Sequence, residues 1–271
     1  MPHYAIRLTD KAEIPLDGAQ LTDGIRAWVT GESGSGKSNT CMLIASQWVE
    51  SGRQLIVLDS HGEYNELWSL RPGNTMRIGY GGEPVNENSS DWVMDLVREG
   101  KNVLIDLSHW TDIDHKPLDK FVRTFMVDLY KYRRERPAHT LVLLEEAQQY
   151  APQAQSKGQN DNVKFFVGLL TGGRKYGLHF IVSSQKQSLV DIGVVSQCNF
   201  RIFMRVSDLS DWNLIKKYLP AKFPLNFGSA TKRDIKTFRS GEAVLVSRLG
   251  TVRGMLRRAT VNVTKFLPDL E

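Results

Sequence analysis

Residues 31–38 read Gly-Glu-Ser-Gly-Ser-Gly-Lys-Ser and match G-x-x-x-x-G-K-[ST], the pattern of a loop that wraps nucleotide phosphates. Glycines let backbone N–H groups converge on phosphate oxygens, and a helix that begins at this loop adds a favourable dipole. We expect Lys37 to reach the β- and γ-phosphates and the Ser38 hydroxyl to ligate Mg²⁺. The residues expected to bind nucleotide are Gly31, Glu32, Ser33, Gly34, Ser35, Gly36, Lys37, Ser38 and Asn39.

Two adjacent acids, Glu145 and Glu146, follow the apolar run 140–144. Ligands of open α/β sheets bind outside the carboxyl ends of the strands, so we expect both acids to face the nucleotide. Glu145 is expected to hold Mg²⁺ through water, and Glu146 to polarise the water that attacks the γ-phosphate. A solvated helix start would also favour glutamate at these positions. The pairing with the phosphate loop favours the catalytic interpretation.

Two further signals flank the strand predicted at 178–184. Gln185 follows this strand and can hydrogen-bond both the γ-phosphate and the attacking water; an ordinary polar strand end is the alternative. The turn at 172–177 precedes the strand and presents Arg174 and Lys175. An exposed arginine of one subunit can complete the nucleotide site of its neighbour. A helix C-cap with dipole-favoured cations is the other interpretation, and both can hold for the same turn.

The elements that must position these residues alternate along the chain. Strands are predicted at 25–30, 54–59, 76–78, 102–107, 140–145, 178–184, 200–205, 242–248 and 251–260, and helices at 37–50, 92–99, 116–134, 162–171 and 208–218. The alternation predicts one α/β domain over residues 1–271. A short N-terminal strand segment is expected at 1–24, and a C-terminal extension with a β-hairpin at 220–271.

Composition excludes several classes of protein. The chain has 271 residues, of which 41% are hydrophobic and 24% charged, as in soluble globular proteins. Without a long apolar run or a signal-peptide core, it is expected to be cytoplasmic, with no membrane partner. Cys41 and Cys198 lack metal-ligand spacing, which argues against structural zinc. The net charge of +5 weakly favours a polyanion partner.

The motifs, taken in order, resemble the HerA/FtsK superfamily of nucleic-acid-pumping ATPases, and HerA more closely than FtsK. Besides the phosphate loop, the matching pieces are residues 58–64, 143–148, 172–178, 183–185, 195–202 and 241–245. The resemblance implies a RecA-like (ASCE) P-loop NTPase core with a mainly parallel sheet. It also implies ATP and Mg²⁺ as cofactors, and assembly into a ring, usually a hexamer, around duplex DNA.

The resemblance implies a catalytic role for four residues. Lys37 binds the nucleotide and Glu146 activates water. Gln185 senses phosphate, and Arg174 acts on the nucleotide of a neighbouring subunit. A further family motif near the nucleotide matches Asp59, His61 and Glu63, without assigning their separate roles. The chain departs from the family where Glu145 replaces the usual aspartate and Gln148 the common histidine. No counterpart of the N-terminal β-barrel of HerA is expected in 1–24, which favours a compact viral, mobile-element or repair type.

The predicted function is therefore that of a ring-forming ATPase that pumps or remodels duplex DNA. A nuclease or other DNA-processing protein is a possible further partner. DNA contacts are expected in the polar loop 153–159 and at Lys232 and Arg233, where binding would be sequence-tolerant and salt-sensitive.

Two alternative functions share part of this motif set. Residues 59–62 fit D-x-x-G and residues 231–234 fit T-K-x-D of small GTPases, but the spacing from Lys37 to Asp59 leaves no room for a first switch loop. A nucleotide-gated scaffold or defence-complex subunit would bind ATP as a switch and would share the same motifs. GTP preference would favour the first alternative, and turnover indifferent to DNA the second.

Overall fold

The computed structural model describes residues 5–9, 13–16, 22–81, 84–110, 115–153, 157–219, 235–247, 250–257 and 259. The strands within these ranges are β1 (Ala5–Arg7), β2 (Glu13–Pro15), β3 (Arg26–Thr30), β4 (Gln54–Asp59), β5 (Thr75–Ile78), β6 (Asn102–Asp106), β7 (Thr140–Leu144), β8 (Leu178–Ser184), β9 (Phe200–Phe203), β10 (Glu242–Ser247) and β11 (Gly250–Met255). Nine of them form one sheet in the order β11-β10-β9-β3-β8-β7-β4-β6-β5. The other two, β1 and β2, pair antiparallel in a small sheet of their own.

The large sheet is parallel from β5 to β9, and β10 and β11 continue it as an antiparallel hairpin. This arrangement confirms the predicted mainly parallel α/β sheet. Strand β8 lies between β3, which leads into the phosphate loop, and β7, which leads to the two acids. The carboxyl ends of these three strands therefore meet at one edge of the sheet. Thr30 and Ser184, the last residues of β3 and β8, are register partners.

Helices cover both faces of the sheet. They are α1 (Lys37–Glu50), α2 (Ser90–Arg98), α3 (His115–Glu135), α4 (Lys157–Gly172), α5 (Ile192–Ser196) and α6 (Leu209–Ile215). On one face α1 packs with the small β1–β2 sheet through residues such as Trp48, which is fully buried. On the other face α2, α3 and α4 share a second core that includes Phe125. Strands covered on both faces read as continuous apolar runs, as β7 does.

Several boundaries differ from the predictions; helix α6, for example, ends at Ile215 rather than at 218. Helix α4 begins at residue 157 rather than 162, because its polar first turn carries none of the apolar periodicity that marks a buried helix face. Strand β9 ends at Phe203, and the following residues run along the phosphate loop instead. Strand β11 ends at Met255, where it pairs with Glu242 at the start of β10. Among the described residues, no helix is long and apolar enough to span a bilayer.

Candidate nucleotide site

The phosphate loop, residues 31–38, joins β3 to α1 through a backbone that needs glycine. Gly34 has φ 72° and Gly36 has φ 103°, both in the left-handed region. A Cβ at Gly36 would also lie 3.1 Å from the backbone nitrogen of Gly241 and 3.1 Å from Cε of Met204. Backbone conformation therefore requires glycine at both positions, and close packing adds a second requirement at Gly36.

A polar cavity of about 430 Å³ lies between this loop and the carboxyl ends of β4, β7 and β8. Its lining is Ser33, Gly34, Gly36, Lys37, Ser38, Asn39, His61, Glu63, Glu145, Glu146, Gln185 and Ser240. The structure thus brings the predicted phosphate-binding, metal-binding and water-activating residues into one space. Its volume falls within the usual range of small-molecule sites.

Three residues expected to bind nucleotide do not line this cavity. Gly31 packs against Met204, whose Cβ would lie 2.8 Å from a Cβ at position 31. Ser35 is fully buried, and its hydroxyl has no hydrogen-bond partner among the described residues. Glu32 directs its carboxylate to Arg205 instead. These three residues shape the loop rather than face the cavity.

Glu32 fastens the phosphate loop to the segment after β9. Its Oε1 accepts from Arg205 Nε at 2.5 Å, and its Oε2 accepts from the Ser207 hydroxyl at 2.6 Å and the Ser207 N–H at 3.1 Å. Burial opposes ionisation, but the Ser207 and Arg205 hydrogen bonds keep the pKa of Glu32 below its usual value. The backbone adds a further bond, from Glu32 N–H to the Arg205 carbonyl at 2.9 Å.

Lys37 and Ser38 occupy the start of α1, where a bound triphosphate would lie. Lys37 is only 7% exposed, and its Nζ donates to the carbonyl of Glu32 at 3.5 Å. Among the described residues, no cluster of three or more His, Cys, Asp and Glu side chains could hold a metal ion by itself. The Ser38 hydroxyl and the Glu145 carboxyl group line the cavity and offer oxygen donors. Such donors fit Mg²⁺, which is commonly held by one or two protein oxygens together with substrate phosphates and water.

Asp59 organises the turn that follows β4. Its buried carboxylate accepts from the N–H groups of His61 at 3.2 Å, Glu63 at 3.1 Å and Tyr64 at 2.8 Å. The Tyr80 hydroxyl donates to it at 2.5 Å. Asp59 does not itself line the cavity, whereas His61 and Glu63 do. The structure therefore separates the roles of this motif: Asp59 shapes the turn, and the turn presents the other two side chains.

The acid Glu145 lies buried behind the cavity wall. Its Oε2 accepts from the Ser60 N–H at 2.9 Å and lies 3.5 Å from His61 Nδ1. Burial raises the pKa of Glu145 to about 8, and the neighbouring Asp59 adds to this shift. The hydrogen bond to Glu145 in turn raises the pKa of His61 to about 9, because it favours the imidazolium form. His61 is thus a cationic group on the wall that faces the phosphates.

Glu146 is the only non-glycine residue with positive φ among the described residues, at φ 47°. Such a conformation costs on the order of 1–3 kcal/mol and persists only where the surroundings impose it. Its Oε2 accepts from the Gln148 side-chain amide at 2.5 Å and from the Gln185 N–H at 3.4 Å. The carboxylate is therefore held beside the residue predicted to sense phosphate, with strain concentrated at the predicted catalytic position.

Arg174 lies at the opposite edge of the sheet, in a 3₁₀ turn at Gly173–Tyr176 before β8. The seven residues of β8 separate this turn from Gln185, a distance of roughly 23 Å at the usual strand rise. Arg174 therefore does not join the nucleotide cavity of its own chain. Of the predicted DNA contacts, residues 154–156, Lys232 and Arg233 lie outside the described residues, as does the GTPase-like match at 231–234.

Several contacts of the site were missed by sequence reasoning. Ser240 lines the cavity, and the Gly241 N–H donates to the Ser35 carbonyl at 2.8 Å. The resemblance of residues 241–245 to a late strand of the family predicts a strand there. It does not predict that this strand lies beside the phosphate loop. No sequence pattern marks Arg205 or Tyr80 as part of the site. Arg205 is far from its partner Glu32 in sequence, and Tyr80 stands at no regular spacing from its partner Asp59.

A parallel sheet with a phosphate loop after one strand, two acids after another and a glutamine after the strand between them defines a RecA-like P-loop core. The family model described as "Helicase HerA, central domain" matches residues 26–81. Together with the curated relatives below, this match confirms the resemblance seen in the motifs. These matches support a P-loop ATPase of the HerA/FtsK type.

Two curated relatives are both described as DNA double-strand break repair helicase HerA. The protein of Sulfurisphaera tokodaii is 26% identical over 183 residues, which cover 64% of this chain and 34% of the relative. The protein of Pyrococcus furiosus is 28% identical over 117 residues, covering 43% of this chain and 20% of the relative. The matched region thus spans only 34% and 20% of the length of these relatives.

Solved structures share the fold at low identity. The genome packaging NTPase B204 of Sulfolobus turreted icosahedral virus 2, in complex with ATP-gammaS, is 15% identical with a TM-score of 0.55, covering 88% of this chain and 98% of that one. VirB4 of Thermoanaerobacter pseudethanolicus is 12% identical with a TM-score of 0.66, covering 94% and 96%. At these identities the likeness is one of fold.

Proposed function

We propose that this chain is the ATP-hydrolysing subunit of a ring-shaped motor that translocates or remodels duplex DNA. The observation that carries the proposal is Glu146, a buried carboxylate held by a strained backbone in the same cavity as Lys37 and Gln185. The descriptions of similar proteins, a DNA repair helicase and a genome packaging NTPase, support DNA as the substrate.

Binding of the nucleotide falls to the phosphate loop. Lys37 contacts the β- and γ-phosphates, and the loop N–H groups cradle the phosphate oxygens. Ser38, with Glu145 acting through water, would hold Mg²⁺. When bound, that ion neutralises phosphate charge and polarises the terminal phosphoryl group. His61 adds positive charge on the opposite wall of the cavity.

Hydrolysis is assigned to Glu146. Its carboxylate accepts a proton from a water molecule whose oxygen attacks the γ-phosphorus, while the bond to the β,γ-bridging oxygen breaks to give ADP and phosphate. Gln148 holds the carboxylate in place. The Gln185 N–H contacts the same oxygen, so a shift of Gln185 on loss of the γ-phosphate would also move the base.

Within a single chain, the described lining of the nucleotide site lacks an arginine. The cationic side chains of that lining are Lys37 and His61. Arg174 lies at the other edge of the sheet, so it is assigned to the nucleotide of an adjacent copy. A head-to-tail contact of this kind supports the proposed ring, since head-to-tail contacts that close produce rings.

The test is nucleotide turnover with and without duplex DNA. Glu146→Gln is expected to lower kcat by roughly 10²–10⁴-fold, the usual contribution of a general base, while ATPγS binding is retained. Glu99→Gln, at an exposed position just after α2, is the matched control and is expected to turn over ATP normally.

Duplex DNA is expected to stimulate the wild-type rate, and single-stranded DNA and RNA serve as comparisons. Turnover that ignores all nucleic acids would favour the nucleotide-gated scaffold. A clear preference for GTP over ATP would contradict the assignment of the nucleotide.

A further inference from the structure

A buried hydrogen-bonded network joins the phosphate loop to the turn that follows β8. Its centre is Gln187, two residues beyond Gln185, with a fully buried side chain. The carboxylate of Asp211 on α6, which is 6% exposed, lies on one side of this amide, and Gly31, the first residue of the phosphate loop, lies on the other. Neither Gln187 nor Asp211 lines the nucleotide cavity, so any part they play in the reaction is indirect.

The partners of Gln187 fix which way its amide points. The Gly31 N–H can only donate, so the Gln187 oxygen faces it at 3.1 Å, and this oxygen also accepts from the Thr30 hydroxyl. The amide nitrogen then donates to Asp211, at 2.9 Å to Oδ2 and 3.1 Å to Oδ1. The reversed amide would place two donors against each other at Gly31.

The network extends to the segments on both sides of Gln187. On β8 the Ser184 hydroxyl lies 3.3 Å from the Thr30 hydroxyl. Beside α6, Asp211 Oδ1 also accepts the Ser188 N–H at 2.8 Å. Gln187 therefore connects three segments: the end of β3 with the phosphate loop, the turn after β8, and α6.

Gln185 lies between two members of this network, Ser184 and Gln187. Its side chain lines the cavity, and its N–H contacts Oε2 of Glu146 at 3.4 Å. Because both flanking residues are bonded to the end of β3, the place of Gln185 relative to the phosphates depends on bonds that Gln185 does not itself make. A buried network whose polar groups are paired rigidifies the segments that it joins.

We infer that Gln187 is a positioning residue for the γ-phosphate contact of Gln185, and that Asp211 holds Gln187 in this role. The inference rests on the proposed ATPase function, in which Gln185 contacts the γ-phosphate. Gln187 acts from behind the cavity by holding the turn after β8 against the Gly31 N–H. The same bonds join α6 to the phosphate loop, so a shift of Gln185 on loss of the γ-phosphate reaches α6.

A reciprocal exchange of side chains tests this inference. Gln187→Glu keeps an acceptor for Gly31 but sets a second carboxylate against Asp211. Asp211→Asn sets an amide nitrogen against a donor in either of its orientations. The double variant restores the pairing, because the new amide can donate to the new carboxylate. Each single variant is expected to lower kcat by about 10²-fold, and the double variant to recover most of that loss.

Nucleotide affinity gives a readout that a purely structural role would not move. The ratio of ATPγS affinity to ADP affinity, measured by calorimetric titration, reports the contact with the γ-phosphate. It is expected to fall about 3–10-fold in each single variant, the value of one hydrogen bond, and to return in the double variant. Gln185→Ala should show a similar fall, because it removes the contact itself.

Asn102→Asp is the matched control. Asn102 is another buried amide, whose Oδ1 accepts the Leu55 N–H at 2.9 Å and whose Nδ2 donates to the Thr75 hydroxyl at 3.2 Å, at the start of β6. The control exchanges a buried amide for a carboxyl group, as Gln187→Glu does, but should keep the wild-type kcat and affinity ratio. Gln187→Met, which adds no second carboxylate, serves the same test if Gln187→Glu does not fold.

The inference and the ATPase function fail separately in these experiments. A wild type that prefers ATPγS to ADP through Gln187 but hydrolyses nothing would overturn the ATPase function and leave the inference standing. Single variants with the wild-type affinity ratio would overturn the inference, whatever the wild type hydrolyses. So would a double variant that regains stability in urea but not the ratio, or a control that loses the ratio equally.

Discussion

The parallel strands of the central sheet begin at one side, the amino edge, and finish at the other, the carboxyl edge. These two edges use the left-handed backbone conformation in different ways. At the amino edge Gly24 and Gly177 adopt it, with φ 73° and 82°, and a Cβ on either would approach another atom to 2.7 Å or less. At the carboxyl edge Glu146 adopts it while keeping a full side chain. Glycine relieves this strain at the amino edge and in the phosphate loop, at Gly34 and Gly36, whereas Glu146 retains it where a carboxylate must face the nucleotide cavity.

The edges also differ in the charges they bury. At the carboxyl edge three carboxylates, Asp59, Glu145 and Glu146, are each at most 4% exposed and lie close together. At the amino edge the fully buried His179 lies beside the exposed His139, with 3.0 Å between their ring nitrogens. Burial lowers the pKa of His179 to about 3, so this ring stays neutral. Burial raises the pKa of Asp59 and Glu145, so the carboxyl edge relieves charge repulsion by retaining protons, whereas the buried histidine of the amino edge excludes one.

The largest expected effect on stability comes from Gly177→Ala. The new Cβ would lie 2.5 Å from the Ala138 carbonyl oxygen in a left-handed conformation. We expect a loss of about 3 kcal/mol in the free energy of unfolding, measured by urea denaturation. Gly100→Ala is the control, since Gly100 has φ 78° and a Cβ added there would meet no atom within 4 Å. It should cost only about 1 kcal/mol, and equal losses would show that close approach does not matter at Gly177.

Acid should destabilise the amino edge through His179. Its Nδ1 accepts the Ile25 N–H at 2.9 Å, and burial lowers its pKa to about 3. Below pH 6.5 the unfolded chain binds a proton that the folded chain excludes, so stability falls as pH falls from 6.5 towards 3. The loss attributable to His179 is about 2 kcal/mol at pH 5. Urea denaturation at pH 7 and pH 5 measures it.

His179→Gln isolates that contribution, because every other titrating group is common to both proteins. The variant is expected to lose about 2 kcal/mol less than the wild type between the two pH values. Parallel pH profiles for the two proteins would show that His179 is not neutral in the folded state.

Strain at the carboxyl edge is measured by comparing Glu146→Gly with Glu146→Ala. Both variants remove the carboxylate and are expected to be inactive. Only glycine relieves the left-handed backbone, so its variant should be about 1 kcal/mol more stable than the alanine variant. If alanine is the more stable of the two, the backbone at position 146 is not strained and the contrast between the edges disappears.

Much of the fold was predictable because local signals agreed with tertiary ones. Helix α1 and strand β4 occupy the predicted residues 37–50 and 54–59. The phosphate loop fixes the start of α1, and an apolar run bounded by polar residues fixes β4. The start of α4 at residue 157 was not predictable, since its first turn has no apolar side chains to mark a buried face.

The site was predictable where spacing encodes chemistry and not where it depends on tertiary contacts. Lys37 was singled out by the phosphate-loop motif, and Glu146 and Gln185 by their positions at strand ends; all three line one cavity. The direction of Glu32 depends on Arg205, 173 residues away, and no spacing rule connects them. The role of Asp59 depends on backbone N–H groups, which the sequence shows only as residue types.

The smallest expected effect concerns the ion pair that fastens the phosphate loop. The Glu32 and Arg205 side chains are 32% and 31% exposed, so solvent screens their attraction. A double-mutant cycle with Glu32→Ala and Arg205→Ala should give a coupling of about 0.5–1 kcal/mol in unfolding free energy. Glu32→Ala alone should cost more than Arg205→Ala, because it also removes two bonds from Ser207.

The pair Arg98 and Asp95 on α2 is the matched control, with 47% and 67% exposure and a spacing of three residues. Its coupling should be about 0.3 kcal/mol, as for exposed pairs on a helix. Measuring KM for ATP in the same variants distinguishes an effect on the phosphate loop from a general loss of stability. Only the Glu32 and Arg205 variants should raise KM, because only they loosen the loop that holds the phosphates. Equal couplings and unchanged KM values would reduce this contact to an ordinary surface ion pair.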